Sequence, residues 1–420
     1  MKRIEIFEVE RPEPLALLRI VVPIMLLAAP GIREGVRVAA WSPALRVVPE
    51  GLGWFAAIVP ISPTLATAVE LATVFAALCA IVGLRARVAL VVLTIGAFYL
   101  CSIAQLTGFV WHDMHLLWLC ALLAASPCDH ALAWDRRVPL APSRAYGVSL
   151  TFARALLGAV YFFPGFHKLR EQGLAWALSD NLRDQLWWKW AEHGVTPSFR
   201  IDHHPFLLHA GGIFVLAFEL AAPVLFLVRR TRFFGAMLGV VFHLTAELVF
   251  LIPFAALWAC YVVLVDVKVT FPNSPEPKEE PAEPSRWTFA MGAALLLGVV
   301  IQGARGQTQS YPFACYPTFQ WDPGTTMPDL RLVATFEDGR VEDVPHARDA
   351  EGHRTQRQWG TVFALVGATH EPSESRLRAY FRALGKAGVV RVRALRQTVS
   401  VDPDAHGHVV REEEIASFKP

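Results

Sequence analysis

Residues 207–228 read LLHAGGIFVLAFELAAPVLFLV, and residues 233–252 read FFGAMLGVVFHLTAELVFLI. The basic turn RRTR at 229–232 separates the two runs. A transmembrane helix needs roughly 20 mostly apolar residues, because the hydrocarbon core of a bilayer is about 30 Å thick and a helix rises about 1.5 Å per residue. Each run meets that length, so this stretch predicts a helical hairpin that crosses a membrane twice.

Further apolar runs of similar length lie at 15–30, 64–84, 88–106, 110–126, 148–166 and 287–304. A shorter run at 254–266 could cross the membrane or re-enter it. Arg19 interrupts the first run and no clean small-x-small cleavage site follows it, so we interpret that run as a retained helix and not as a signal peptide. The pattern predicts an all-α polytopic membrane bundle of about eight or nine transmembrane helices.

The composition excludes several classes of protein. Hydrophobic residues make up 54% of the chain and charged residues 18%, which does not suit the surface of a soluble monomer. The formal net charge of +2 is too balanced for a protein that binds nucleic acid by neutralising phosphates. Of the six cysteines, Cys315 alone lies away from the apolar runs, so no disulfide framework or CxxC metal site is expected.

Lys and Arg in the short loops set the predicted orientation, because positive residues are retained on the cytoplasmic side. Basic residues precede the first span and follow the second, fourth and sixth, namely Lys2, Arg3, Arg11, Arg85, Arg87, Arg136, Arg137, Arg144, Arg229, Arg230 and Arg232. All of them are cytoplasmic if the N-terminus is. Arg33, Arg37 and Arg46, in the loop 31–63, oppose this orientation.

The orientation predicts how the chain is divided. Residues 1–266 form the transmembrane domain, and the Pro- and Glu-rich stretch 267–286 is a solvated cytoplasmic linker. Residues 287–304 are the last transmembrane helix, which carries residues 305–420 to the extracytoplasmic side.

The segment 305–420 has the pattern of a small α+β domain. Alternating runs near 330–336 and 341–344 are joined by EDGR, which predicts a β-hairpin. A polar amphipathic helix near 373–386 and an alternating run at 389–401 complete the predicted domain.

The motif YFFPGFHKL at 161–169 places Lys168 at the outer end of the fifth span, beside a helix-disrupting Pro-Gly pair. A charged group at the centre of a membrane helix costs at least ~2.5–3.5 kcal/mol, so such residues usually face the bundle interior or a wet cavity. One interpretation is a lysine that snorkels to the interface. The other is a general base, because desolvation disfavours the ammonium form and a neutral amine can accept a proton from a phenolic substrate.

His243, Glu247 and Glu219 are further candidate site residues within predicted spans. His243 and Glu247 are four residues apart on one helix face, where they can form a hydrogen-bonded pair or bind one metal ion. A mutually satisfied polar pair that fixes helix packing is the alternative. Glu219, in the sixth span, either pairs with a histidine or arginine of a neighbouring span or lines a polar substrate cavity.

The sequence WHDMH at 111–115 puts His112 and His115 on one helical face at the outer mouth of the fourth span. HxxH alone is a weak metal signal, so no metal ligands are assigned. The alternative is an aromatic belt at the membrane interface. Such a belt would also explain a group of tryptophans, namely Trp111, Trp118, Trp187, Trp188 and Trp190.

These motifs resemble the HTTM domain, the membrane domain shared by vitamin K-dependent γ-glutamyl carboxylase and its bacterial relatives. The similarity covers about residues 12–266 and is carried by GLRAR (83–87), WHDMHLLWLCALLAASPCDHALAWD (111–135), FFPGFHKL (162–169), Glu219 and FHLTAELVFLIPF (242–254). The lysine motif and the FH motif are its most specific parts.

The resemblance implies a chemistry for these residues. Lys168 would deprotonate reduced vitamin K or menaquinol, and His112 or His115 would stabilise developing anions. His243 would line the quinol pocket, to which we also assign His167, Glu219 and Glu247. In the carboxylases oxygen then adds, a quinone-derived alkoxide removes a glutamate γ-proton, and carbon dioxide attacks.

The chain also departs from the carboxylase pattern. The small segment after residue 305 replaces the large lumenal domain that binds propeptide and glutamate substrate. His167-Lys168 stands where the family shows paired lysines. These departures weaken the case for carboxylation of a protein substrate, but they leave the quinol half-reaction possible.

Two main hypotheses follow. The first is a quinol-dependent oxygenase, epoxidase or carboxylase-like enzyme with an outer-face site, which uses O2, and CO2 if the carboxylase chemistry is retained, on a peptide or small-molecule acceptor. The second is a non-catalytic HTTM membrane protein that acts as a receptor, immunity or assembly partner through its C-terminal domain. A metal-dependent oxidoreductase is a third. All place the chain in a lipid bilayer, and the resemblance implies a bacterial inner or plasma membrane.

Overall fold

A computed structural model describes residues 7–49, 51–108, 113–135, 141–267, 283–306, 311–313, 319–346, 356–366, 373–405 and 407–420. In chain order the helices are α1 Glu13–Ala28, α2 Gly31–Ala39, α3 Gly53–Ile58, α4 Pro63–Val82, α5 Ala86–Ala104, α6 Met114–Ala125, α7 Arg144–Gln172, α8 Ala175–Leu178, α9 Asn181–His193, α10 Pro205–Leu227, α11 Arg232–Phe250, α12 Ala255–Trp258, α13 Arg286–Arg305, α14 Gln356–Val366 and α15 Glu374–Ala383. The strands are β1 Thr326–Phe336, β2 Val341–Asp343, β3 Val389–Ser400 and β4 Val409–Phe418.

Some sequence predictions fall outside the described residues. They concern Lys2, Arg3, Trp111, His112, Arg136, Arg137, Cys315 and most of the linker 267–286. The described cysteines, Cys79, Cys101, Cys120, Cys128 and Cys260, are free thiols.

Within the described ranges, seven helical segments are long and apolar enough to cross a membrane. The first, Glu13–Ala39, joins α1 and α2, and the others are α4, α5, α7, α10, α11 and α13. Apolar runs take this form because a bilayer offers no hydrogen-bond partners, so a helix must satisfy its backbone polar groups internally. The predicted helical membrane bundle with a small α+β domain is therefore confirmed.

Two of the predicted spans form shorter helices. α6 is 12 residues long, which corresponds to about 18 Å. Pro127 follows shortly after its end and cannot donate a backbone hydrogen bond. The run at 254–266 forms α12 and a 3-10 helix, which together cover Ala255–Leu264. Neither helix is long enough to cross a bilayer by itself.

α7 is the central helix of the bundle. It has 29 residues, and most of them are buried within the protein. It continues to Gln172, beyond the predicted end at residue 166, in spite of its Pro-Gly pair. A Cβ added to Gly165 would lie 2.7 Å from the Cβ of Glu219, so a side chain at this position would push α10 away. The missing side chain at Gly165 therefore lets α10 bring Glu219 up to α7.

Buried charges join α7 and α11 away from Lys168. Oε1 of Glu10 accepts a hydrogen bond from Arg154 of α7 and one from Arg232 of α11, each at 2.7 Å. Arg154 also donates to the carbonyl of Val263 at 2.8 Å. Such a network satisfies charges that would be costly if they were buried without partners. The network joins the first half of α7 to the beginning of α11.

The C-terminal domain is an antiparallel sheet of order β2-β1-β3-β4, with α14 and α15 packed against it. The predicted hairpin is confirmed, since β1 and β2 pair with Val333 opposite Asp343. α15 and β3 lie within their predicted ranges. α14 and β4 have no counterpart among the elements predicted from the sequence. β4 contains EEE at 412–414, so its sequence lacks the apolar alternation that is typical of a strand. It pairs with β3 partly through ionic contacts, such as the one from Arg396 Nε to Glu413 at 2.8 Å.

The C-terminal domain is packed against α9. Trp188 of α9 donates its indole N–H to the carbonyl of Gly324 at 2.8 Å, and its ring stacks on Phe363 of α14 with centroids 6.0 Å apart. Arg200, in the loop before α10, pairs with Asp404 at 2.9 Å. These contacts place α9 and the sheet on the same side of the bundle.

Candidate functional site

A cavity of about 170 Å³ lies between α7, α10 and α11, beneath α8 and α9. Most of its wall is apolar. Its polar lining residues are Tyr161, Lys168, Trp176, Gln185, Glu219, His243 and Thr245. Lys168, Glu219 and His243 are predicted from the sequence as site residues, and the structure brings them together in this cavity. The other polar lining residues are not predicted.

Lys168 and Glu219 form a buried ion pair in the cavity wall. Nζ of Lys168 donates to Oε1 of Glu219 at 2.6 Å and to Oε2 at 2.8 Å. The two residues are 2% and 4% exposed. The partner of Glu219 is therefore a lysine, and the predicted histidine or arginine partner is wrong. Lys168 does not snorkel to the surface, and its amine is not isolated.

Trp176 supports this pair. Nζ of Lys168 lies 4.9 Å from the centroid of the Trp176 ring, where a cation is attracted to the negative face of the indole. The indole N–H donates to the carbonyl of Phe319 at 2.6 Å, and Phe319 also lines the cavity. The chain that enters the C-terminal domain therefore contributes to the site.

Tyr161, His243 and Tyr261 form a second polar group. The hydroxyl of Tyr161 lies 2.5 Å from Nε2 of His243 and 2.5 Å from the hydroxyl of Tyr261. Nδ1 of His243 is buried and has no hydrogen-bond partner among the described atoms. Neither tyrosine is among the site residues predicted from the sequence. The spacing of Tyr161 and Lys168 was an available signal, because residues seven apart lie on one face of a helix two turns apart.

Glu247 does not pair with His243. It is exposed on α11, and no hydrogen bond or ion pair of its side chain is found among the described residues. His243 turns inward to Tyr161 and also packs against Phe254, with centroids 5.3 Å apart. The predicted His243–Glu247 pair is therefore wrong, because the tyrosine of a neighbouring helix takes the histidine.

His167 lies next to Lys168 in sequence but on another face of α7. Its Nε2–H donates to the carbonyl of Gly303 in α13 at 2.7 Å, and the residue is fully buried. It does not line the cavity. Successive helical residues are about 100° apart, so His167 can face α13 while Lys168 faces the cavity. The structure therefore places His167 in helix packing and not in the predicted quinol pocket.

His115 also lies outside the cavity lining. Its Nε2–H donates to the carbonyl of Ala256 at 3.0 Å, which joins α6 to α12. His112 lies outside the described residues. In the structure His115 therefore joins two helices and does not line the cavity.

Two of the tryptophans, Trp118 and Trp190, do not belong to a belt at the lipid interface. Trp118 and Trp190 are each 2% exposed. Their indole N–H groups donate to the carbonyls of Pro312 at 2.8 Å and Val249 at 2.9 Å. The aromatic-belt interpretation is wrong for these two residues, because their polar ends find partners within the protein.

An ion network lies at the edge of the site outside the membrane spans. Arg200 donates to Asp202 at 2.9 Å, and Trp187 donates to the same carboxylate at 3.0 Å. Burial raises the pKa of Asp202, but these hydrogen bonds outweigh it and leave the pKa below its usual range. The hydrogen bond from Arg200 likewise lowers the pKa of Asp404. The network ties the loop before α10 to the C-terminal domain.

No group of three or more His, Cys, Asp or Glu side chains in the described part of the chain could hold a metal ion. The candidate site in that part is a largely apolar cavity whose wall contains one ion pair and one tyrosine–histidine group.

Comparison with known proteins supports the family assignment. The family model described as the HTTM domain matches residues 7–273. No curated protein sequence and no solved structure gives a significant match. The matched region includes α1 to α12 and every membrane-helix residue of the cavity. The chain therefore belongs to the HTTM-domain family.

Proposed function

We propose that the cavity binds reduced vitamin K or menaquinol and that the protein is a quinol-dependent oxygenase or epoxidase, or a carboxylase-like enzyme. The observation that carries this proposal is the buried Lys168–Glu219 pair in the wall of a largely apolar cavity. Ionisable groups at membrane depth are expensive and mark functional sites by default. A quinol is soluble in a bilayer and presents a weakly acidic hydroxyl that needs such a proton acceptor.

The ion pair can accept a proton as a unit. Lys168 and Glu219 together carry no net charge, whichever of them holds the shared proton. A proton taken from a substrate hydroxyl leaves Lys168 as an ammonium and Glu219 as a carboxylic acid. The resulting positive charge lies beside the substrate anion, where attraction is strong because the cavity contains little water. In this proposal Lys168 acts as the base together with Glu219.

Tyr161 and His243 fit a binding role in the same cavity. The Tyr161 hydroxyl has one proton, so it can donate either to His243 or to Tyr261. Nδ1 of His243 is buried and has no hydrogen-bond partner among the described atoms, so this nitrogen can form one more hydrogen bond. We propose that these groups orient the quinol relative to the Lys168–Glu219 pair.

The remaining roles rest on the family resemblance. Oxygen, and carbon dioxide if carboxylation is retained, would be co-reactants, and a peptide or small molecule would be the acceptor. The anion-stabilising role stays with His112 or His115, although Nε2 of His115 is already bonded to Ala256. Glu247 would contribute only from the exposed face of α11.

Oxygen-dependent consumption of menaquinol and formation of its epoxide by the purified protein test the proposal. The double variant Lys168→Met, Glu219→Met keeps the site free of net charge and should abolish turnover. The matched control, Arg378→Met, Glu374→Met, removes an exposed ion pair of α15 and should keep the wild-type rate. Equal rates in the wild type and the first double variant would exclude the pair from the mechanism. No turnover by the wild type would exclude the oxygenase proposal.

A second cleft supports the non-catalytic alternative. It has a volume of about 540 Å³ and lies between the loop at 40–45 and helices α14 and α15. Arg376 and Arg382 line it, and no acidic residue does so in the described part of the chain. If a receptor or assembly role is correct, Arg376→Ala, Arg382→Ala should fail to complement a deletion strain, whereas the Lys168→Met, Glu219→Met variant should complement it.

We propose that the N-terminus is cytoplasmic, that the C-terminal domain is extracytoplasmic, and that the protein lies in a bacterial inner or plasma membrane. The support is the distribution of Lys and Arg in the loops. A Ser375→Cys variant, which adds a thiol at an exposed position of α15, should react with a membrane-impermeant maleimide in intact spheroplasts. Reaction only after lysis would reverse the orientation.

A further inference from the structure

Helices α10 and α11 are close at one end and separated at the other. Near the turn that joins them, a Cβ added to Gly235 would lie 2.9 Å from the Cβ of Leu225. Toward the opposite ends, Gly211 of α10 and Thr245 of α11 both line the cavity. A Cβ added to Gly211 would meet no described atom within 4 Å. The two helices therefore diverge over the cavity and leave a gap between them.

The cavity is closed toward the extramembrane side. Buried residues of α8 and α9, including Trp176, Leu182 and Gln185, form its roof. Phe319 also covers it, and its ring packs against Phe250 with centroids 5.7 Å apart. Trp190 ties α9 to the end of α11 through its hydrogen bond to Val249. A packed aromatic cluster therefore separates the polar end of the cavity from the aqueous phase.

The gap between α10 and α11 opens sideways. Leu207, which lines the cavity, is 44% exposed, and Thr245 is also exposed. Both residues belong to helices that are long and apolar enough to cross a membrane. Surfaces of such helices that no other part of the protein covers face lipid chains. The cavity therefore communicates with the hydrocarbon of the bilayer.

We infer that the ligand enters headfirst from the bilayer through this gap and that the absence of a side chain at Gly211 keeps the gap open. The inference rests on the proposed function for the identity of the head group. The gap is lined by apolar residues such as Leu207, Val215 and Val249, whereas Lys168 and Glu219 lie in the wall against α7. This arrangement suits an amphiphile whose hydroxyl-bearing ring reaches the ion pair while its apolar tail stays between the helices.

Equilibrium binding of a radiolabelled long-chain menaquinone, reduced to its quinol and kept under nitrogen, to the full-length protein in lipid nanodiscs tests the inference. The wild type should bind it at least tenfold more tightly than menadione reduced in the same way, which has the same ring system without the tail. Gly211→Trp should weaken binding of the long-chain menaquinone tenfold or more, because the indole fills the gap. Ile213→Trp is the matched control, since Ile213 is 52% exposed on the same helix and does not line the cavity. It should bind as the wild type does.

A second variant tests whether the gap must be open, without adding a large side chain. Gly211→Cys, Thr245→Cys should bind menaquinone until a cleavable bifunctional thiol reagent bridges the two helices, and cleavage of the bridge should restore binding. Wild-type affinity in both Gly211→Trp and the bridged protein would overturn sideways entry and leave the proposed function standing. Equal wild-type affinity for menaquinone and menadione would also overturn it. If the wild type binds neither compound, the proposed function fails together with the inference.

Discussion

Lys168 and Glu219 are 51 positions apart in the chain, yet the lysine amine donates to both carboxylate oxygens of the glutamate. The contact joins α7 to α10 in the wall of the cavity. Each partner removes the unpaired charge of the other, so the pair is neutral only as long as both are present. The same contact therefore holds two membrane helices together and forms the proposed chemical centre.

Breaking this pair on one side should destabilise the protein. Lys168→Met leaves Glu219 as an unpaired buried charge, so we expect the free energy of unfolding to fall by about 3–5 kcal/mol. The double variant Lys168→Met, Glu219→Met should come close to the wild type, because no uncompensated charge remains. Denaturant unfolding in detergent micelles measures both. A single variant as stable as the wild type would show that the charge finds water or another partner.

Gly165 should tolerate no side chain. A methyl group there would lie 2.7 Å from the Cβ of Glu219, so Gly165→Ala should force α7 and α10 apart and lower the free energy of unfolding by about 1–3 kcal/mol. Gly211→Ala is the control, because its methyl group would meet no described atom within 4 Å. Thermal unfolding should distinguish the two variants. Equal melting temperatures would contradict the close α7–α10 contact.

The shared hydroxyl of Tyr161 should contribute to stability and to quinol turnover. Tyr161→Phe leaves His243 and Tyr261 without their common partner, so we expect a loss of about 1–3 kcal/mol in the free energy of unfolding, together with slower turnover. Tyr99→Phe removes a hydroxyl bonded at 2.9 Å to the carbonyl of Pro60, away from the cavity, and should leave turnover unchanged. Equal turnover in the wild type and Tyr161→Phe would exclude Tyr161 from the site.

The ion network around Asp202 predicts a pH dependence of stability. The folded protein holds the pKa of Asp202 below its usual range, so the unfolded chain binds the proton more readily. The stabilisation should be complete above the ordinary aspartate pKa of about 3.9 and should be lost as the pH falls through the lower folded value. The stability difference between the wild type and Asp202→Asn should therefore shrink in acid. Chemical unfolding at neutral and acidic pH measures it, and a constant difference would contradict the prediction.

The apolar runs in the sequence were enough to predict a helical membrane bundle, although two of the predicted spans form shorter helices, and local patterns predicted part of the C-terminal domain. Apolar run length is a local property, and it predicts a span because lipid cannot satisfy an unfolded backbone. The β1–β2 hairpin was equally local, since its alternation and its EDGR turn are adjacent in the chain. The charged strand β4 was missed because it depends on pairing with β3 and not on a pattern of its own.

Which polar residues contact one another depends on how the helices pack. The sequence selected Lys168, Glu219 and His243 because ionisable residues are rare at membrane depth. Neither the histidine or arginine considered for Glu219 nor the Glu247 considered for His243 is the actual partner. Their actual partners, Lys168 and Tyr161, lie 51 and 82 positions away. Partner choice depends on how each helix is rotated about its axis and where small residues such as Gly165 allow close approach. Hydropathy indicates the length of a span, but it contains no information on helix rotation or on the points of close approach. These contacts could therefore not be predicted without the packing of the helices.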